Sequence, residues 1–228
     1  MQDRFEITKD QLVQSTDPDF LAEVAVELAW MYNDTFHEVD AGNFSCLHRK
    51  NEEFGRRRSF AAEKSILRAC EANNIPYKYE RLECNGQRKL IVKTRNGILI
   101  QEPILTLDQK PHPSEYKKSL AESRSIIRQL ELDLNLPDRP YRTLDWSGEI
   151  LAVLLHAPRG PRFDEESKEL GGLMLAVPNQ DYSNWIVRID IHQIAEFGLA
   201  QNAHRAGQRD QIVAKLKKNK RNEIRVSK

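Results

Sequence analysis

The chain has 228 residues, enough for one large domain or two small ones, and its 39% hydrophobic and 30% charged side chains describe a globular protein with a polar surface. No apolar run approaches the ~18–20 residues of a membrane span, and Met1-Gln2-Asp3-Arg4-Phe5-Glu6 has no apolar segment behind a basic start, so neither a membrane partner nor secretion is expected. Cys46, Cys70 and Cys84 form no CxxC pair, so we expect a reducing cytoplasm, no zinc site and no cofactor.

A net charge of +1 conceals a polarity along the chain. Residues 1–40 carry two basic and ten acidic side chains, hence −8. Residues 41–70 carry seven basic and three acidic, hence +4, and residues 205–228 carry nine and two, hence +7. Such ends can pair with each other, within or between subunits, or the basic end can meet an external polyanion.

Thr16-Asp17-Pro18 starts a helix: a capping side chain stands before a proline in the first turn, where its missing N–H costs nothing. Leu21, Val24, Leu28, Met31/Tyr32 and Phe36 then recur at helical spacing. Residues 38–58 read as a polar connection punctuated by Gly42 and Gly55, ending in Arg56-Arg57-Arg58. A second helix is predicted over 59–73, with Phe60, Ala62, Ile66, Leu67 and Cys70 inward, stopping at Asn73-Asn74-Ile75-Pro76.

Asn85-Gly86 and Asn96-Gly97 lie between apolar runs, the strongest short-range hairpin signal, and predict a meander over 77–84, 87–95 and 98–105. Pro111 and Pro113 mark an extended, exposed crossing and the best domain boundary. Ser114-Glu115 opens a third helix with Leu120, Ile127, Leu130 and Leu134 on one side, closed by Leu136-Pro137. Ile150–His156 and Leu173–Val177 are continuous apolar runs, read as strands buried on both faces, and 185–191 reads as a third strand. Short helices are predicted over 191–199 and 208–218, ahead of a frayed basic tail. The expected fold is α+β: helices packed on a three-stranded antiparallel meander over 1–107, a linking helix with a second β-rich unit over 108–204, and a basic segment over 205–228.

Four features carry chemistry. The run Arg56-Arg57-Arg58 at a predicted helix start would set arginine forks beside free N–H groups, a natural phosphate site, although a solvated loop or pairing with the acidic first helix is the plainer account. In the tail, Lys217, Lys218, Lys220 and Arg221 would contact phosphates without reading sequence. His156, Arg159 and Arg162 end one strand, and Asp190 and His192 end another; if those ends converge they could serve acid–base work or bind phosphate. Trp30, Trp146 and Trp185 read as core or interface residues.

A helix followed by a three-stranded meander resembles part of the restriction-endonuclease-like core, and the resemblance implies Glu63 as its helical acid. That chemistry also needs an acid at a strand end and (Asp/Glu)-x-Lys on the next strand to hold a metal and a water. The meander carries Lys93-Thr94-Arg95 and Gln101-Glu102-Pro103 instead. Asp/Glu-x-Lys occurs at Asp108/Lys110, Glu115/Lys117 and Glu166/Lys168, none on a predicted strand and no more often than chance allows. No nucleophile elbow or phosphate-cradling glycine loop is present.

The expectation is therefore a non-enzymatic binding protein, an accessory subunit, antitoxin-like neutraliser or regulator. It would act through a protein partner, in a hetero- or homo-oligomer, and through nucleic-acid phosphates at its basic segments. The competing class is a nuclease-like or other phosphate-handling hydrolase, or a degenerate relative of one, centred on His156, Arg159, Asp190 and His192.

Overall fold

A computed structural model describes residues 4–82, 86–123 and 150–194. Within them lie α1 (Arg4–Ser15), α2 (Pro18–Asp40), α3 (Leu47–Ala72), β1 (Tyr77–Arg81), β2 (Arg88–Lys93), β3 (Gly97–Pro103), α4 (Glu115–Ser123), β4 (Ile150–Pro158), β5 (Leu170–Pro178) and β6 (Trp185–Asp190), which runs into a 3-10 turn at Ile191–Gln193. The fold is α+β, as the sequence predicts. All six strands form one sheet in the order β1-β2-β3-β4-β5-β6, so it continues across the boundary drawn at 107/108. Every neighbouring pair is antiparallel except β3 and β4.

The sheet is buried on both faces because its strands feed two cores. Ile150, Ala152 and Leu154 of β4 join a core with Leu12 of α1 and the inner faces of α2 and α3. Leu151, Val153 and Leu155 point the other way, into a core closed by Leu120 and Ala121 of α4 and by Tyr182. That double burial is why β4 reads as an unbroken apolar run and not as an alternation.

Helix α2 starts as its sequence dictates: the Asp17 carboxylate accepts from Asp19 N at 2.9 Å and Phe20 N at 3.4 Å, with Pro18 in the first turn. Helix α1 was not anticipated, although Asp3 directly precedes it in sequence and Glu6 follows three residues on; it packs against β4 and β6, with Leu12 fully buried.

The second helix departs most from expectation. It begins at Leu47, not at 59, and takes in Gly55 and the arginine run. Two forces outweigh the glycine penalty of ~1 kcal/mol. Glu53 pairs with Arg56 and Arg57 one turn on, at 2.8 and 2.6 Å. Phe54 is buried among Tyr32, Phe36 and Phe163. This longer register turns Phe60 outward, 61% exposed, and puts Phe54, Arg58, Ala61, Ala62, Ser65 and Ile66 inward. Nothing lies within 4 Å of a methyl built on Gly55. Gly55→Ala should therefore add about 0.5–1 kcal/mol of stability, read as a raised midpoint at unchanged slope in chemical denaturation.

Of the first Asn-Gly pair only Gly86 is described, and the second does not form the centre of its turn. Gly86 has φ +69, its N–H donates to Leu82 O at 2.8 Å, and Leu82 N donates to Gln87 O at 2.7 Å. At the second turn Thr94 N donates to Gly97 O, so Arg95 and Asn96 are the central residues and Gly97 is already strand. The crossing after β3 is pinned to β6: Trp185 Nε1 donates to Gln109 O at 2.9 Å, and Arg188 to Leu107 O at 2.6 Å. The remainder of the predicted third helix, the helices predicted beyond 194 and the basic tail lie outside the described residues. No described helix is long and apolar enough to cross a membrane.

Candidate functional site

Among the described residues, two places between the helices and the sheet gather polar groups. One is a hydrogen-bonded chain buried between α2, α3 and the ends of β3 and β4. The other is an open cleft along α2.

The buried chain begins at Tyr32, fully shielded on α2, whose hydroxyl lies 2.7 Å from His156 Nδ1. His156 Nε2 lies 2.9 Å from Gln101 Oε1, and Gln101 Nε2 donates to Ser59 Oγ at 3.1 Å. With the Gln101 amide in that sense, His156 carries its proton on Nε2 and accepts the Tyr32 proton at Nδ1. Four elements are thereby tied by one-directional hydrogen bonds. Burial, helped by the nearby Arg58 charge, pushes the His156 pKa down to about 3, so the imidazole is neutral. Burial also pushes the Tyr32 hydroxyl up to about 12, against the pull of Arg58, and keeps it a donor.

Arg58 is the anomaly. It is 4% exposed, with its guanidinium 5.7 Å from the Tyr32 ring centroid and 5.2 Å from that of Phe54. Neither its Nε nor its Nη1 has a hydrogen-bond partner, and no ion pair reaches it among the described residues. Its two neighbours in the run are ordinary by comparison: Arg56 pairs with Glu53, and Arg57 with Glu53 and, at 3.0 Å, with Glu38. The run sits in a helix interior, where its backbone N–H groups are already bonded, so the expected phosphate site at a helix start does not form.

The strand-end residues do not gather. His156 is enclosed and both ring nitrogens are taken. Strands β4 and β6 flank β5, two spacings or roughly 10 Å apart. Arg159 pairs with Glu169 at 2.5 Å, and Arg162 is exposed in the loop after β4. That loop is held by Phe163, buried and stacked on Phe36 at 4.5 Å. Asp190 accepts from His192 N at 2.9 Å and caps the turn after β6.

Asp190 and His192 do share the second place, a cleft of about 670 Å³ between α2 and the β5–β6 end of the sheet. Trp30, Asn33, Lys168, Glu169 and Gly171 line it with them. Trp30 stands at its lip 72% exposed, where the sequence reading left open core or interface. Helical spacing held the signal: Trp30 falls off the stripe through Leu21, Val24, Leu28 and Tyr32, so it cannot face the core those residues build.

The helical acid implied by the nuclease resemblance, Glu63, is half-buried on α3, where burial pushes its carboxyl up against the opposing effects of Lys89 and Gln101. On the same face of the sheet β2 and β3 supply Leu90, Val92, Leu99 and Gln101. Glu102 points into the opposite core, 2% exposed, accepting from Tyr182 Oη at 2.7 Å, Lys117 Nζ at 2.8 Å and His112 N at 3.0 Å. Among the described residues no group of three or more His, Cys, Asp or Glu could hold a metal ion. No protein-family model, curated protein or solved structure matches this chain.

Proposed function

We propose that this chain is a non-enzymatic binding protein, an accessory subunit, antitoxin-like neutraliser or regulator, that docks a partner polypeptide in the cleft along α2. One observation carries the reading: an indole 72% exposed at the lip of a 670 Å³ cleft. A tryptophan left in water forgoes much of its burial, and tryptophan is among the residues most enriched where interfaces concentrate their binding energy. The polar groups around it, Asn33, Lys168, Glu169, Asp190 and His192, supply the rim that such an anchor needs.

The competing reading is a phosphate-handling hydrolase centred on His156, Arg159, Asp190 and His192, of which His156 is enclosed with both ring nitrogens bonded, or a nuclease-like protein or its degenerate relative with Glu63 as helical acid. Against the latter, that chemistry needs carboxylates where Leu90, Val92, Leu99 and Gln101 stand.

Native affinity purification with the intact chain and with Trp30→Ala separates the outcomes. The same partner should come down with the first and be lost, by ~30-fold or more in affinity, with the second, as for a hot spot worth about 2 kcal/mol or more. Equal recovery by both would place the partner elsewhere and remove the cleft from the account.

A further inference from the structure

The open edge of the sheet carries a charge placement that the fold itself does not need. Arg81 of β1 and Arg88 of β2 are direct cross-strand partners. Like charges set opposite each other destabilise a strand pair, and neither arginine has a carboxylate partner among the described residues. Both are exposed. Five basic and two acidic side chains lie in residues 77–93, so the excess there is +3.

The same face of β1 carries aromatic rings. Tyr77 and Tyr79 alternate with Lys78 and Glu80, so they share a face with Arg81 two and four residues on. Their partners in β2, Val92 and Leu90, are buried beneath α3, but the tyrosines themselves are 37% and 45% exposed. Lys78 and Glu80, on the other face, neutralise each other at 3.4 Å. The result is a row, Tyr77-Tyr79-Arg81, closed by Arg88, along a strand whose outer edge no other strand covers among the described residues.

We infer that this ribbon is a binding surface for single-stranded nucleic acid, with bases on the tyrosine rings and phosphates on the Arg81–Arg88 pair. Rings of this kind accept any base on its π-face, and guanidinium forks match phosphate oxygens. A bridging phosphate also turns the opposed arginines from a repulsion into a clamp. Two carboxylates of α3 border the row, Glu71, which accepts from Tyr77 Oη at 3.4 Å, and Glu63 near Tyr79, so the phosphates are held at the Arg81–Arg88 end and the bases lie toward the tyrosines. This surface is separate from the Trp30 cleft and does not depend on it.

The test is fluorescence anisotropy of the full chain with a labelled oligothymidylate of about twenty nucleotides, and with its duplex, from low salt (about 50 mM) upward. The single strand should bind more tightly, with affinity falling as salt rises. Arg88→Glu should weaken it about tenfold or more and flatten the salt dependence by about one phosphate contact. The same change should raise the melting temperature, because it puts opposite charges across the strand pair. Loss of binding with a gain of stability is a signature that unfolding cannot imitate. Tyr79→Ala should lose roughly 5–150-fold while Tyr79→Phe retains binding. Arg49→Glu, the same charge change on an exposed residue of α3, should bind like the parent. The inference is overturned by no binding at low salt, by duplex bound as tightly as single strand, by Arg88→Glu binding unchanged, or by Arg49→Glu losing as much as Arg88→Glu.

Discussion

Alanine at Gly97 is expected to cost about 3 kcal/mol or more, the largest loss from a single added methyl among the described glycines. A Cβ built there would lie 1.9 Å from Ile150 O and 2.9 Å from Ile150 C. Those are backbone atoms of the partner strand, so no side chain can rotate aside. Gly97 pairs with Ile150 at the first rung of the β3–β4 ladder, and Ile150 N also donates to Asn96 O. The methyl must therefore move the start of β4, and β4 feeds both cores. Urea unfolding of Gly97→Ala beside Gly55→Ala gives the decisive comparison, since the same methyl should destabilise at 97 and stabilise at 55. A Gly97→Ala protein within about 0.5 kcal/mol of the parent would mean that the two strands do not approach as described.

The second large effect is a gain. Arg58 is a guanidinium almost without solvent, with two nitrogens unpartnered and no carboxylate among the described residues to offset its charge. Replacing a buried charge by an apolar side chain of similar length commonly stabilises by about 1–4 kcal/mol, and Arg58→Met should fall in that range while keeping contact with Tyr32 and Phe54. A pH series supplies a second reading. His156 titrates near 3 when folded and near the ordinary 6.5 when unfolded, so between those values the unfolded chain holds a proton that the folded one does not. Stability should thus fall as pH drops below 6.5, by up to roughly 5 kcal/mol at pH 3 from this group alone. Arg58→Met removes one of the two causes of the low pKa, so its acid loss should begin at the same pH and end smaller. If the variant is destabilised at pH 7, Arg58 contributes more through its stacking than its burial costs.

The same two residues show how far the sequence could be read. Capping and periodicity located the start and the inner face of α2, because Asp17, Pro18 and the Leu21–Phe36 stripe act locally, while its end runs to Asp40, into the stretch read as a connection. The six strands were placed within a few residues by apolar runs and turn signals. Pairing was not legible, since β3 meets β4 across residues 104–149 and nothing local encodes that contact. Gly97 was noticed for the wrong reason: its dipeptide looked like a turn, whereas a neighbouring backbone excludes any side chain there. Arg58 was placed in a solvated run, since three adjacent arginines look alike until a helix register turns one of them inward. His156 ended a strand as expected, but its partners Tyr32 and Gln101 stand 124 and 55 residues away in sequence.

The parallel seam between β3 and β4 also bears on how the chain is made. The α2–α3 pair and the β1–β3 meander close over short stretches, whereas the seam must wait for the whole of 104–149. At ~5–20 residues per second, a ribosome takes roughly 2–10 s to deliver β4 after β3. Over that interval Ile98-Leu99-Ile100 presents unpaired backbone and apolar side chains at once, the combination that recruits other strands. Synthesis rather than the finished fold is then the stage at which this protein is most exposed to aggregation. Slowing translation between codons 104 and 149 should lower the soluble yield, and slowing it after codon 158 should not.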